Sequence, residues 1–450
     1  MTLLEAARAL REREVSSLEL TRQALDKIAD SKLNAFMTVT ADAALARAKF
    51  ADEELARGVD HGPLHGIPIA HKDAFLTKDV RTTAGSKIFE NYVPDRDAEI
   101  VTRLNHAGAV VLGKTGLHEL CHGITSNNPH FGAVLNPRDT ERIPGGSSGG
   151  SGSAVAAGLA FLATGTDTGG SVRIPAAYCG VVGLKPTFGL LSCRGVMPLA
   201  FTLDHVGPLT RTVRDAAVAF QAMLGQTAEQ PLPHVTGVRV GVPENFFFEH
   251  LDPEVMLAVR RSVQILASLG ARVEEVRLPD VNALNTTGRM VQLAEAATVW
   301  RRFESRRSEF GTDVYALIQQ GLLIPATDYL DAQRYRRILS REFSKIWAQF
   351  DCLLTPSTPV PAPKQGVPTV WSGDIEEDVR MASTRLTRPF NVLGWPALAL
   401  PCGFSTSGLP ISVQLVAAPK QEQTLFQAGA ALEDSLALRE RLVNPSVDKM

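Results

Sequence analysis

Three short segments of this chain carry residues able to activate an oxygen nucleophile. Lys72 stands just past the apolar stretch 67–70, Gly145-Gly146-Ser147-Ser148-Gly149-Gly150-Ser151 opens an apolar helix, and Gly165-Thr166-Asp167-Thr168-Gly169-Gly170-Ser171 follows the next strand. A serine hydroxyl is a weak nucleophile until a neighbour takes its proton, and a neutral lysine acting through a second hydroxyl can do so without a Ser-His-Asp set. Free lysine has a pKa of ~10.4, so about one molecule in a thousand is neutral near pH 7.4. Lowering it to ~7–8 requires roughly 4 kcal/mol of differential destabilisation of the ammonium, which burial at a strand end can supply. Each piece also has a plainer reading: a solvated surface lysine, a helix N-cap at Ser171, and a flexible linker, since nine of the 27 residues from Gly145 to Ser171 are glycine. A linker has no use for the core-type run Ala154, Val155, Ala156, Ala157, Leu159, Phe161 and Leu162. Glycines in that setting let backbone approach a reacting atom.

Two other motifs compete. Gly108-Ala109-Val110-Val111-Leu112-Gly113-Lys114-Thr115 matches the phosphate-loop pattern letter by letter. Its four intervening residues spell a buried strand, however, and not a loop with converging N–H groups, so nucleotide binding is not expected. His118-Glu119-Leu120-Cys121-His122 has the spacing that sets two imidazoles on one helical face for zinc, with Glu119 as general base. Gly123 and Pro129 follow closely, and a third ligand would have to come from Glu141 or His130, both in turn-like sequence. A zinc hydrolase is therefore the alternative class, with a single helical turn of packing histidines as its plainer counterpart.

The elements that must hold these residues follow from periodicity. Apolar spacing from Leu3 to Ile28 reads as helix, with a capping box at Ser16-Ser17-Leu18-Glu19 starting a second one. A strand over 35–39, a helix over 41–57, helical spacing at Glu99–His106 and a β-branched strand over 109–112 come next. Gln226–Val235 is the loop candidate. Beyond it lie a strand at 238–242, a helix at 253–269, a strand at 273–276 and long helical tracts to Phe350. This alternation predicts an α/β protein: a three-layer α/β/α sandwich around a large mixed, mostly parallel sheet. The expected organisation is one domain over 1–450, with an N-terminal helical segment (1–60), a core (61–225), and further sheet and helices covering the substrate pocket (226–450).

Composition narrows the class. In 450 residues, 46 Lys+Arg face 48 Asp+Glu for a net charge of −2, so long-range attraction to nucleic acid or an anionic membrane is not a theme. Hydrophobic residues at 44% and charged residues at 21% fit a globular chain. The five scattered cysteines contain no Cys-x-x-Cys pair, which fits a reducing cytoplasm. The first fifteen residues are too charged for a signal peptide, and the apolar run near 154–163 is too short to span a bilayer.

Taken together, Gly66-Ile67-Pro68-Ile69-Ala70-His71-Lys72-Asp73, the two Gly/Ser loops, Gly183-Leu184-Lys185-Pro186-Thr187, Leu203-Asp204-His205-Val206-Gly207-Pro208, Arg388-Pro389-Phe390-Asn391 and Gly408-Leu409-Pro410 resemble the amidase signature family. The resemblance implies a hydrolase of carbon–nitrogen bonds other than peptide bonds, with Ser171 as nucleophile, Ser147 on a cis peptide as the bridging hydroxyl, and Lys72 as base. Backbone N–H groups of Thr168, Gly169, Gly170 and Ser171 are implied as an oxyanion hole, a device in which one donor is worth ~2.7–4 kcal/mol. Ser148 is implied as a hydrogen-bonding partner of Lys72. Asp167 and Arg173 flank the nucleophile and are expected to pair and stiffen the turn, so that Asp167→Asn costs turnover with little loss of fold. Thr187, Asp204 and Arg388 read as structural.

The run 117–129 resembles a loop beside the acyl pocket, where relatives often carry Phe and this chain has His122. Cys121, His122 and Gly123 are therefore expected to border a compact amide or carbamoyl substrate, although His122 reads equally as a packed core histidine. The same run is similar to indoleacetamide and mandelamide hydrolases, which keeps aryl-acetamides open, and esters, ureas and urethanes share the tetrahedral chemistry. Transfer-RNA amidotransferase A subunits resemble the core too, but they usually carry Gln where this chain has Ile174. No cofactor, metal, nucleic acid or membrane is implied, and a homodimer or other homo-oligomer is.

Overall fold

Period-two alternation in the strands decides the layering. A computed structural model describes residues 1–227 and 230–443. Its main sheet has eleven strands: β1 (Phe36–Val39), β2 (Pro68–Lys72), β3 (Val110–Thr115), β4 (Leu162–Asp167), β5 (Val182–Lys185), β6 (His205–Thr210), β7 (Arg239–Pro243), β8 (Arg272–Val276), β9 (Cys352–Pro356), β10 (Ala397–Phe404) and β11 (Pro410–Ala417). Their spatial order is β1-β3-β2-β4-β6-β5-β10-β11-β9-β7-β8. Ile69, Leu162, Leu184, Leu398 and Leu400 join one apolar cluster with the helices Val213–Leu224 and Glu422–Leu436. Their neighbours Ala70, Ala163 and Ala399 join another with Val155 and Ala176. Successive side chains point to opposite faces, so helices cover both sides and the α/β/α arrangement follows.

The sheet is mixed, as expected, but it is not mostly parallel. The pairings β3–β2, β2–β4, β9–β7 and β7–β8 are parallel. β1–β3, β4–β6, β6–β5, β5–β10, β10–β11 and β11–β9 are antiparallel. Helical crossovers account for the parallel pairs. The middle instead contains a direct hairpin, β10–β11, turned at Gly408, which no crossover separates.

Local signals near the termini hold. Ser16 caps the helix Ser17–Asp30 with both halves of the Glu19 capping box in place, an interaction whose loss typically costs ~1 kcal/mol. The loop expected over Gln226–Val235 has no helix or strand in its described residues, and Ala228 and Glu229 within it lie outside them. No helix among the described residues is long and apolar enough to cross a membrane.

Candidate active site

The parallel trio β3-β2-β4 delivers the first functional group. Lys72 is the last residue of β2, and its whole side chain is buried between β4 and the Gly/Ser loop. Lys72 Nζ donates to Ser147 Oγ at 2.7 Å, Thr166 Oγ1 at 2.7 Å and Ser148 Oγ at 3.0 Å. No carboxylate is among these partners. Burial pushes the lysine below its usual pKa, with Cys121, Asp204 and Asp167 acting in the opposite sense. A buried amine with three hydroxyl partners can hold a proton or return one along them without moving.

Thr166 was not anticipated. It lies two residues after Thr164, whose hydroxyl accepts from the Lys72 backbone N–H at 3.2 Å, so one face of β4 supplies hydroxyls to both ends of the lysine. The i, i+2 rule applied to β4 would have found it.

Ser147 follows a cis Gly146–Ser147 peptide and precedes the helix Gly149–Ala156. That helix packs so tightly that a Cβ at Gly150 would strike the backbone of Gly116, which explains the glycine run better than flexibility does. Ser148 N–H donates to the Ser171 carbonyl at 3.3 Å, tying the two loops together. Ser171 is only 7% exposed and is not a helix cap, since the helix Arg173–Cys179 is preceded by Val172 at that position.

The turn between β4 and that helix is organised by Asp167. Arg173 pairs with it through two contacts of 3.0 Å, while Gly170 N–H (2.8 Å) and Asn391 Nδ2 (2.8 Å) donate to the same carboxylate. The Arg173 guanidinium holds Asp167 well below the usual carboxylate range against the penalty of burial. Two expectations change here. Gly170 N–H, one of the four expected to face an oxyanion, is committed to Asp167. Because the pair is wholly buried, removing its charge also strands Arg173, and Asp167→Asn will damage the fold as well as turnover. At Gly170 φ is +133° and a Cβ would collide with the Thr387 hydroxyl, so only glycine fits.

Asp204 accepts from Thr168 Oγ1 at 2.6 Å and from the N–H groups of Leu199 and Ala200. Burial pushes it up to about 6. Thr187 donates to Glu422 and accepts from the Lys420 N–H.

Cys121, His122, Gly123, Thr168, Gly169 and Ser171 line one pocket. His122 is completely buried, burial pushes its imidazole down to about 3, and its Nδ1 has no partner, so it lines this pocket as a neutral ring. Arg289, Gln292, Arg380 and Arg388 line the same pocket. Arg388 therefore belongs to the pocket wall and is more than structural. The other three carry no motif and were not anticipated.

The His-Glu-x-x-His reading does not survive. Glu119–Cys121 is a single 3₁₀ turn with left-handed φ at Leu120 and Cys121, so His118 and His122 do not share a helical face. His118 Nε2 contacts Asp313 at 3.0 Å, and Glu119 is occupied by Ser86, His130 and the Gly311 N–H. Glu141 lies beside Asp139 and Gln365 instead. Among the described residues, the donors that converge as a metal set could are Glu54, His61 and His65. The phosphate-loop lookalike is strand β3, with Lys114 buried against Asp73.

The Amidase family model matches residues 19–426. The chain is 38% identical to the A subunit of the glutamyl-tRNA(Gln) amidotransferase of Geobacter sp. strain M21, over 96% of each chain. It superposes on a crystal structure of an amidase with a TM-score of 0.92 at 38% identity, covering 97% of this chain and all of that one. A chain from a vestigial protein complex that bears on the evolutionary origins of an s-triazine catabolic enzyme gives 0.91 at 35% identity (97% and 98%), and 6-aminohexanoate cyclic dimer hydrolase 0.86 at 29% (98% of each).

Proposed function

The chain belongs to the amidase signature family of hydrolases acting on C–N bonds, and from that premise we propose that it hydrolyses a small-molecule amide or carbamoyl compound through an acyl-enzyme on Ser171. Ser171 Oγ forms a bond to the carbonyl carbon while its proton passes to Ser147 Oγ, whose own proton moves to neutral Lys72 Nζ. The carbonyl oxygen, now an anion, is held by N–H groups of Thr168, Gly169 and Ser171. Collapse breaks the C–N bond, and the relay runs backward to protonate the departing ammonia or amine. Water then attacks the acyl ester with the same relay as base, and a carboxylic acid leaves.

The observation that carries this reading is the buried Lys72 Nζ at 2.7 Å from Ser147 Oγ, ringed by hydroxyls and free of carboxylate contacts. Replacing Ser171 by Ala should lower kcat by at least about 10³-fold, as loss of a nucleophile does, with far-UV dichroism unchanged. Full turnover by that variant would refute the assignment. One domain assembled as a homo-oligomer is part of the same proposal, and a sedimentation measurement checks it.

A second reading, the glutaminase component of a transfer-RNA amidotransferase, is favoured by the names of the curated relatives at 38–39% identity. Activity of the purified chain alone, with no partner chains, decides against it.

A further inference from the structure

The pocket that Ser171 lines contains more positive charge than the protein itself neutralises. Arg388 is 4% exposed, its Nε has no hydrogen-bond partner, and no described carboxylate forms an ion pair with it. Burial and repulsion from Arg289 push it down to about 10, so it remains a cation at neutral pH. Arg289 makes one polar contact, to the Met381 sulfur at 3.4 Å. Arg380 alone has an anionic partner, Asp313 at 3.2 Å, and that carboxylate is shared with His118. None of the residues lining the pocket is Asp or Glu. Glu377 borders the adjoining cleft, where it pairs with Arg385.

A buried guanidinium without a counter-ion is unfavourable unless something anionic completes it. Its planar fork matches a carboxylate in a two-point contact. Position limits the length of that ligand. A Cβ at Gly169 would stand 3.6 Å from Arg388 Nε and 3.6 Å from Gln292 Oε1, so the guanidinium lies close to the loop that carries Ser171. We infer that the acyl half of the substrate is short and ends in a carboxylate bound by Arg388 and flanked by Arg289, as in the monoamide of a small dicarboxylic acid. The absence of a lining carboxylate further implies that an α-ammonium group has no partner here, which selects against asparagine and glutamine. This inference rests on the acyl-enzyme reading for turnover, but the binding of the anion does not.

Succinamate and asparagine are a matched pair differing only in the α-amino group, and succinamide is the neutral counterpart. With the purified enzyme at pH 7.5, ammonia release should give kcat/KM for malonamate or succinamate at least tenfold above succinamide and at least tenfold above asparagine. Succinate or malonate should raise the melting temperature of the Ser171→Ala variant saturably, and Arg388→Gln added to that variant should weaken this binding at least tenfold. Should Arg388→Gln fail to fold, Arg289→Gln on the rim decides, with at least a threefold weakening expected. Equal or better use of the neutral amide, preference for asparagine, or dicarboxylate binding indifferent to the arginine changes overturns the inference. Arginine-dependent dicarboxylate binding with no hydrolysis of any amide would instead sink the relay and leave the anion-binding pocket standing.

Discussion

Lys72 and Lys114 lie at the same end of neighbouring strands, are both wholly buried, and both sit in sequence patterns that invite a functional reading, yet their surroundings separate them. Lys114 Nζ bonds to the Phe75 carbonyl and the Thr82 hydroxyl at 2.7 Å each and sits 3.3 Å from Asp73 Oδ1. Lys72 meets three hydroxyls, two of them, Ser147 and Ser148, on the Gly/Ser loop and the third, Thr166, on β4. Burial disfavours the ammonium at both. At Lys114 an adjacent carboxylate opposes it, and the amine is tied into the structure beside Asp73. At Lys72 the immediate partners are neutral and able to pass a proton onward. Lys185, equally buried, donates to the carbonyl of Pro186, which has no proton to relay. Burial is therefore common to all three lysines, and the chemistry of the neighbours makes the difference.

The comparison breaks most visibly at the relay. Lys72→Met should reduce kcat by about 10³-fold or more, near the upper part of the range for loss of a positioned base, while the protein remains folded by dichroism. Retention of turnover would remove the distinction between the two lysines altogether. Lys114→Met should do the opposite, leaving kcat per folded molecule within a few-fold but destabilising the protein by about 3–5 kcal/mol in urea unfolding, because Asp73 is left buried without its cation. Asp73 is already pushed above the usual carboxylate range by burial. An acid with a raised folded pKa destabilises the native state while ionised, so the loss should shrink as pH falls from 8 towards 5 and Asp73 takes up a proton.

The smallest effect tests the hydroxyl ring itself. Turnover needs neutral Lys72, so kcat/KM should fall as pH drops through a lysine pKa lying below the ordinary value. Thr166→Val removes an acceptor that favours the ammonium, which lowers that pKa further and moves the acid limb of the profile to lower pH, with kcat reduced about three- to tenfold. A limb that moves to higher pH would show that the threonine does not serve the charged amine.

Much of the frame was legible from short stretches of chain. The Ser16–Glu19 capping box, helix Glu99–His106 and the reading of 109–112 as strand all depend on backbone geometry and on side chains within one turn or two residues. The pairing of Asp167 with Arg173 was legible for the same reason, both residues belonging to one turn. The His-Glu-x-x-His spacing misled because its meaning depends on a helix, and left-handed backbone at Leu120 and Cys121 denies it one. Arg388 was underestimated because nothing in Arg-Pro-Phe-Asn reveals whether a carboxylate elsewhere neutralises it.

The sequence alone thus determined the α/β alternation and the glycine loops, which follow from local sterics and periodicity, while the Lys72, Ser147 and Ser171 candidates came from motifs that resemble the amidase signature family. Tertiary structure decided which lysine is surrounded by hydroxyls, which loop N–H is already taken, and that Asn391 and Gln414 brace Arg173 from 218 and 241 residues away. It also left Arg388 without a counter-ion among the described residues. Desolvation and charge pairing are sums over neighbours in space, and strands brought together from distant parts of the chain supply those neighbours.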